Sequence, residues 1–197
     1  MGNVRRRGIE LESAIYKVVR EVVDEEGIEG VTFQKIAELA GTSKSVIYRR
    51  WKTPFELAIS AFQDRIQLEN KGSVDKVALT GKNMHDDLLQ LMNRFLISID
   101  TLGKTFLRSL LIGIGDQPNE AMQRLMDKNS EIDLRAINRI LERARNRGED
   151  VREDIPDDVK LLPFEWLRYK MFLQNNISRD MIEMLIEDIL IPVYLKG

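Results

Sequence analysis

The sequence predicts an all-α protein in two parts, a small N-terminal three-helix unit and a larger C-terminal helical one. Three observations carry this. Apolar residues recur at three- and four-residue spacing along most of the chain, the signature of helices with one buried stripe. The stretch Val31 to Lys52 reads as two short helices joined by a tight turn. A polar break at Gly72-Ser73 and Thr80-Gly81 separates the first helices from the rest.

Taken in order, Leu11, Ile15, Val18, Val19 and Val22 give one apolar stripe between Glu10 and Glu26, and Gly27 ends that helix. Thr32 can cap the next helix by accepting a hydrogen bond from a free N–H. Ile36, Ala37 and Ala40 then share a face, and small alanines let a second helix cross closely. Gly41 sits where a helix ends in a left-handed residue. Ser43 is a second capping candidate, opening a helix of about two turns to Trp51 with Ile47 pointing inward beside Ile36. Lys44, Ser45, Val46, Tyr48, Arg49 and Arg50 then fall on or near the outer face. Thr53-Pro54-Phe55-Glu56 has the grammar of a helix start, and that helix runs to about residue 70.

Beyond the break, the periodicity predicts helices over 84–102, 105–114, about 120–147, about 157–175 with Pro163 as a possible kink, and 178–194 capped by Ser178. Gly113-Ile114-Gly115 reads as a helix end, Asp116-Gln117-Pro118-Asn119 as a break, and 149–158 as an acidic loop. The segment 157–175 carries apolar residues all round, which requires cover on more than one side, from this chain or a second copy.

The 197 residues suffice for one large domain or two small ones with proper cores. With 30 Lys and Arg against 32 Asp and Glu, the chain is no polycation, so nucleic-acid contact must come from local clusters. Arg5 to Arg7 and Lys44 to Lys52 supply them; the first reads equally as a phosphate-seeking arm or a solubilising tail. Arg143 to Arg147 reads as a solvated helix end. The absence of cysteine excludes disulfides and thiolate metal sites, and one histidine makes a His-based zinc site improbable. His85-Asp86-Asp87 lacks a nucleophile, a metal partner and a surrounding Gly-rich loop, and reads as a helix start rather than a catalytic group. No catalytic residue, metal or cofactor is expected. No apolar run reaches membrane-spanning length and no signal-peptide core opens the chain, so a cytoplasmic location is expected.

Thr-x-x-x-Ile-Ala-x-x-Ala-Gly-x-Ser-x-x-x-Ile-Tyr, followed by Arg-Arg-Trp and Phe-Glu-Leu, resembles the N-terminal domain of TetR-family transcriptional regulators. The resemblance covers roughly the first third of the chain. It implies a helix-turn-helix DNA-binding domain over 1–53 and a helical ligand-binding and dimerisation domain over 54–197. By that resemblance, Thr32, Thr42, Ser43, Lys44, Ser45, Tyr48, Arg49, Arg50 and Lys52 are the expected DNA contacts. The chain departs from the family pattern at Arg50 and Pro54, so the phosphate role is transferred to Lys52. Lys44, Ser45 and Arg49 are expected at base edges. A dimer would place its two recognition helices roughly 34 Å apart on a palindromic operator.

In the second part the resemblance is looser. It implies a small hydrophobic effector lined by some of Met92, Phe95, Phe106, Met122, Met126, Trp166 and Tyr169, with Tyr169 or Arg168 as polar groups. It also implies a homodimer formed through the last two helices, with Phe164, Leu167, Met171, Ile182, Leu185, Ile186 and Ile189 at the interface. The expected function is a DNA-binding regulator acting as a repressor released by a small molecule. The alternative is a helical ligand- or partner-binding protein that has lost specific DNA binding.

Overall fold

The computed structural model describes residues 8–113, 120–174 and 177–196. The expected Arg5–Arg7 arm and the break at 116–119 lie outside them. The chain divides into two compact units, Met1–Ile66 with Thr101–Met122, and Gln67–Asp100 with Gln123–Gly197. Among the described residues the regular structure is helical, apart from a single antiparallel bridge between Val151 and Leu195.

The first unit opens with α1 (Ile9–Glu26), α2 (Phe33–Leu39), α3 (Lys44–Tyr48) and α4 (Pro54–Glu69). Ile15, Val19, Val22 and Val23 of α1 are buried, as the stripe requires. Arg20 ties α1 to α4, donating to the Ala61 carbonyl at 3.0 Å and pairing with Asp64 at 3.4 Å. At the start of α4 the Thr53 hydroxyl accepts from the Glu56 N–H at 3.1 Å. The Glu56 carboxylate reaches back to the Lys52 N–H at 2.9 Å. The Thr53 half of this cap is the one that the Thr-Pro-Phe-Glu grammar predicts, while the carboxylate reaches one residue further back than a capping box requires.

The second unit begins with a short 3-10 turn, Val74–Lys76, and α5 (Met84–Gly113). Gly103, at φ 70° and ψ 159°, interrupts α5, in the gap the sequence leaves between two helices. Residues from Thr101 onward group with the first unit, where Phe106 stacks on Phe62 with ring centres 4.0 Å apart. Then come α6 (Glu120–Asn146), α7 (Asp157–Gln174) and α8 (Arg179–Met184). A π turn over Leu185–Leu190 and α9 (Ile191–Tyr194) follow α8. α7 runs on through Pro163. The 149–158 segment, expected as an acidic loop, is anchored: Val151 is buried, and Arg152 N–H donates to the Tyr194 carbonyl at 2.9 Å.

Leu88, Met92, Ile137, Ile140, Phe164, Leu167, Ile182, Ile186 and Tyr194 form the apolar core of this unit. A polar seam lies beside it. Arg135, Arg139 and Arg143 of α6 and Arg147 just past its end recur every four residues, a spacing that puts them on one face. Arg135 donates to Asp75 at 2.8 Å, and Arg139 to the carbonyls of Asp75 and Val77 at 3.1 and 2.6 Å. Burial pulls the Asp75 carboxyl upward, but the hydrogen bonds from Arg135 and Ser73 prevail and hold it below the usual range. Arg143 and Arg147 both donate to Asp87, at 2.9 and 2.8 Å.

The Asp87 side chain is fully buried, and it also accepts the Gly81 N–H at 3.0 Å. A Cβ on Gly81 would stand 2.5 Å from that carboxylate and 2.6 Å from the Asp87 nitrogen, so only glycine permits the approach. Asp87 is thus a first-turn residue of α5, as expected, and also a buried anchor, while Arg143 and Arg147 form an internal clasp rather than a solvated end. Asp133 of the same helix pairs with Arg168; burial nonetheless pushes its carboxyl up to about 6.

Candidate nucleic-acid interface

The reader is α2, a turn and α3. Thr32 caps α2 by accepting the Lys35 N–H at 3.2 Å. At the other end Gly41 takes φ 64°. The Thr42 N–H returns to the Ala37 carbonyl at 2.9 Å and the Gly41 N–H to Glu38 at 3.2 Å. That pair of bonds is a Schellman closure, which needs a left-handed residue at the turn. A Cβ at Gly41 would meet nothing within 4 Å, so the requirement is dihedral and not spatial. The turn therefore fixes how α3 leaves α2.

α3 is shorter than the expected nine residues, and Ser43 does not cap it with its side chain. The Ser43 hydroxyl instead lies 2.9 Å from that of Ser45. Ile47 and Ile36 are both fully buried, as their spacing predicts. Trp51 is buried, edge-on to Tyr16 at 5.7 Å between ring centres. Tyr48 sets its ring against Phe33 at 4.5 Å and remains 54% exposed. Lys44 lies over the outer part of this ring, 5.5 Å from its centre. These anchors hold the short helix from beneath.

The outward face is basic. Between Thr42 and Thr53 stand Lys44, Arg49, Arg50 and Lys52 with no carboxylate among them. Ser43, Lys44, Ser45, Arg49, Arg50 and Lys52 are all exposed, and Thr42 is half-buried. Among the described residues the Arg49 guanidinium has no ion pair. Arg50 does: it is bound to Glu12 of α1, a partner 38 residues away that the sequence reading did not find. Thr32 is exposed, with its hydroxyl engaged in the cap.

The other anticipated residues fall into different surroundings. Met92 and Phe95 belong to the core of the second unit, where Phe95 meets Phe164 edge-on at 5.4 Å. Trp166 packs beside that core with Lys170 over its ring. Phe106 lies in the first unit against Phe62, and Met126 and Tyr169 are exposed. The Met122 side chain lies outside the described residues. Arg168, expected as a polar group of a cavity, is held by Asp133. Of the seven residues expected at a dimer interface, only Ile189 is exposed. Phe164, Leu167, Ile182, Leu185 and Ile186 are in this chain's own core and Met171 is also buried, so they are not open to a partner. Among the described residues the exposed large apolar side chains of α7 and the following segment are Leu162, Tyr169 and Met184 beside Ile189.

Residues 15–58 match the family described as bacterial regulatory proteins, tetR family. An HTH-type transcriptional regulator of Mycobacterium tuberculosis is 28% identical over 186 residues, covering 92% of this chain and 86% of the relative. The DNA-binding transcriptional repressor TetR of Mycobacteroides abscessus is 25% identical over 196 residues, 97% of each chain. The fold is shared with a TetR-family regulator from Mesorhizobium loti, at TM-score 0.67 and 18% identity over 98% of this chain and all of that one. It is shared too with SmeT in its triclosan complex, at TM-score 0.59 and 15% identity over 95% of this chain and 93% of that one. Among the described residues no helix is long and apolar enough to cross a membrane. Helix-turn-helix geometry and the family match agree over residues 15–58, and along nearly its whole length the chain resembles TetR-family transcriptional regulators.

Proposed function

We propose that the chain is a repressor that binds a palindromic operator as a homodimer and is released by a small hydrophobic molecule. The observation that carries this is the segment of α3 and the residues after it: exposed cations and hydroxyls around a helix locked from below, with no carboxylate among them. A short helix so presented suits the major groove. Lys44, Ser45 and Arg49 are assigned to base edges. Thr32, Thr42, Ser43, Tyr48, Arg50 and Lys52 are assigned to the backbone, where contacts position the protein without reading sequence. The Glu56 carboxylate bonded to the Lys52 N–H makes α4 the element through which a change elsewhere moves the end of the reader.

Repression is supported by the related repressor of M. abscessus, and a hydrophobic effector by the triclosan held in the SmeT structure. The effector acts by its affinity difference between operator-competent and incompetent geometries, and only by that difference. In this reading the dimer surface draws on the exposed Leu162, Tyr169, Met184 and Ile189; the first two are seven residues apart and share a helix face.

Selection of bound duplexes from a random pool, followed by sedimentation of the complex, tests the proposal. The expected result is one inverted repeat with half-sites about one helical turn apart, bound by an even number of chains. Recovery of no consensus, or a chain that stays monomeric on its duplex, would overturn it.

A further inference from the structure

The sole histidine lies far in sequence from the two carboxylates it faces. His85 is in the first turn of α5, and its Nε2 stands 3.3 Å from the Glu183 carboxylate and 3.6 Å from that of Glu187. That nitrogen is fully buried and has no hydrogen-bond partner. The three candidate ligand atoms lie within 4.8 Å of one another. We propose that His85, Glu183 and Glu187 form a binding site for a divalent transition-metal ion of the zinc type. The proposal is independent of the DNA-binding reading.

The spacing carries the argument. Ligands at about 2.0–2.1 Å from a tetrahedral ion are separated from each other by about 3.4 Å. Both distances from the imidazole nitrogen fall near that value before any adjustment. Two carboxylates held this close repel one another unless a cation stands between them.

The local helix geometry contributes. Glu183 and Glu187 are four apart, and the π turn at Leu185–Leu190 begins between them. Its wider turn brings residues four apart closer to alignment than an α turn does, and such turns recur at functional sites.

Competing partners are weak. Arg179 approaches the other Glu183 oxygen at 3.6 Å from an 80% exposed side chain, leaving the oxygen that faces His85 available. On the far side of the ring the Asp86 carboxylate stands 3.9 Å from Nδ1, beyond hydrogen-bond distance. One nitrogen and two carboxylates favour zinc and its first-row neighbours over magnesium or calcium, which prefer all-oxygen sites. The remaining coordination position is left to water. One histidine makes a His-based zinc site improbable from composition alone; the other ligands here are carboxylates about a hundred residues away.

The test uses the full chain without an affinity tag, titrated with Zn2+ while the single imidazole is followed by NMR and melting by calorimetry. The expected result is one equivalent bound and a shifted His85 signal. At a hundredfold excess over Kd, Tm should rise by roughly 5–10 °C. His85→Gln and Glu187→Gln should each weaken binding at least tenfold. Glu187 is 65% exposed, so its variant should stay folded even where the histidine variant does not. An imidazole signal unmoved at millimolar Zn2+, equal binding by Glu187→Gln, or an equal response to Mg2+ would overturn the proposal.

Discussion

The reader segment around α3 and the helix α6 both carry clustered basic residues, and they use them in opposite ways. On α3 the cations point outward with little to bind them: Arg49 has no ion pair among the described residues, and Lys44 only overlies a tyrosine ring. Along α6 and at its end four arginines are bonded to two buried aspartates and three backbone carbonyls. The difference separates recognition from construction. A cation without a partner is available to phosphates and base edges, whereas one bonded to a buried carboxylate is part of the scaffold. Local density of Lys and Arg does not distinguish them; the position of the acidic residues does.

Breaking the clasp should give the largest effect. Asp87→Ala leaves two guanidinium groups facing a void, and should cost the second unit about 3–5 kcal/mol in urea unfolding. A loss under about 1 kcal/mol would mean that the apolar core alone holds this unit.

Next is the pH response of Asp133, whose folded carboxyl titrates near 6 against an ordinary value of 3.8. Because the folded state binds this proton more readily, the group opposes folding above pH 6 and ceases to do so as pH falls toward 4. Its contribution should therefore rise by on the order of 2–3 kcal/mol from pH 7 to pH 4. Parallel melts of Asp133→Asn should lack that component of the pH slope. Equal slopes would show that Arg168 dominates the pair.

On the reader, Arg49→Ala should remove about 1–3 kcal/mol of discrimination between the best duplex and one altered at the contacted base pair. Competition gel shifts measure it, and unchanged selectivity would reassign that arginine to the backbone.

The smallest effect concerns the one basic residue of the reader that behaves as those of α6 do. Glu12→Gln should release Arg50, raise affinity for all duplexes a few-fold and steepen the salt dependence by up to one unit. An unchanged slope would place Arg50 away from the phosphates.

The reader was legible because its signals are local. Thr32, Gly41, Thr53 and Glu56 act within five residues of themselves, and the burial of Ile36 and Ile47 follows from helical period alone. The second unit was legible as helices but not as contacts. Periodicity showed that Phe164, Leu167 and Ile182 must be covered, but not by which chain, and they are covered by their own. The four-residue recurrence of arginine along α6 was visible, but its partners lie some sixty residues away. The π turn that aligns Glu183 with Glu187 has no signature in the residues that make it.

Only two tryptophans occur in the chain, Trp51 in the first unit and Trp166 in the second. One is sealed beside Tyr16, and the other is half-open beneath the Lys170 ammonium. Replacing either with phenylalanine leaves a single tryptophan reporting on one unit, so its emission colour and quenching, excited beyond tyrosine absorption, can follow the two parts separately during melting. The molecule thus carries its own pair of optical labels for deciding whether reader and scaffold lose structure together or in turn.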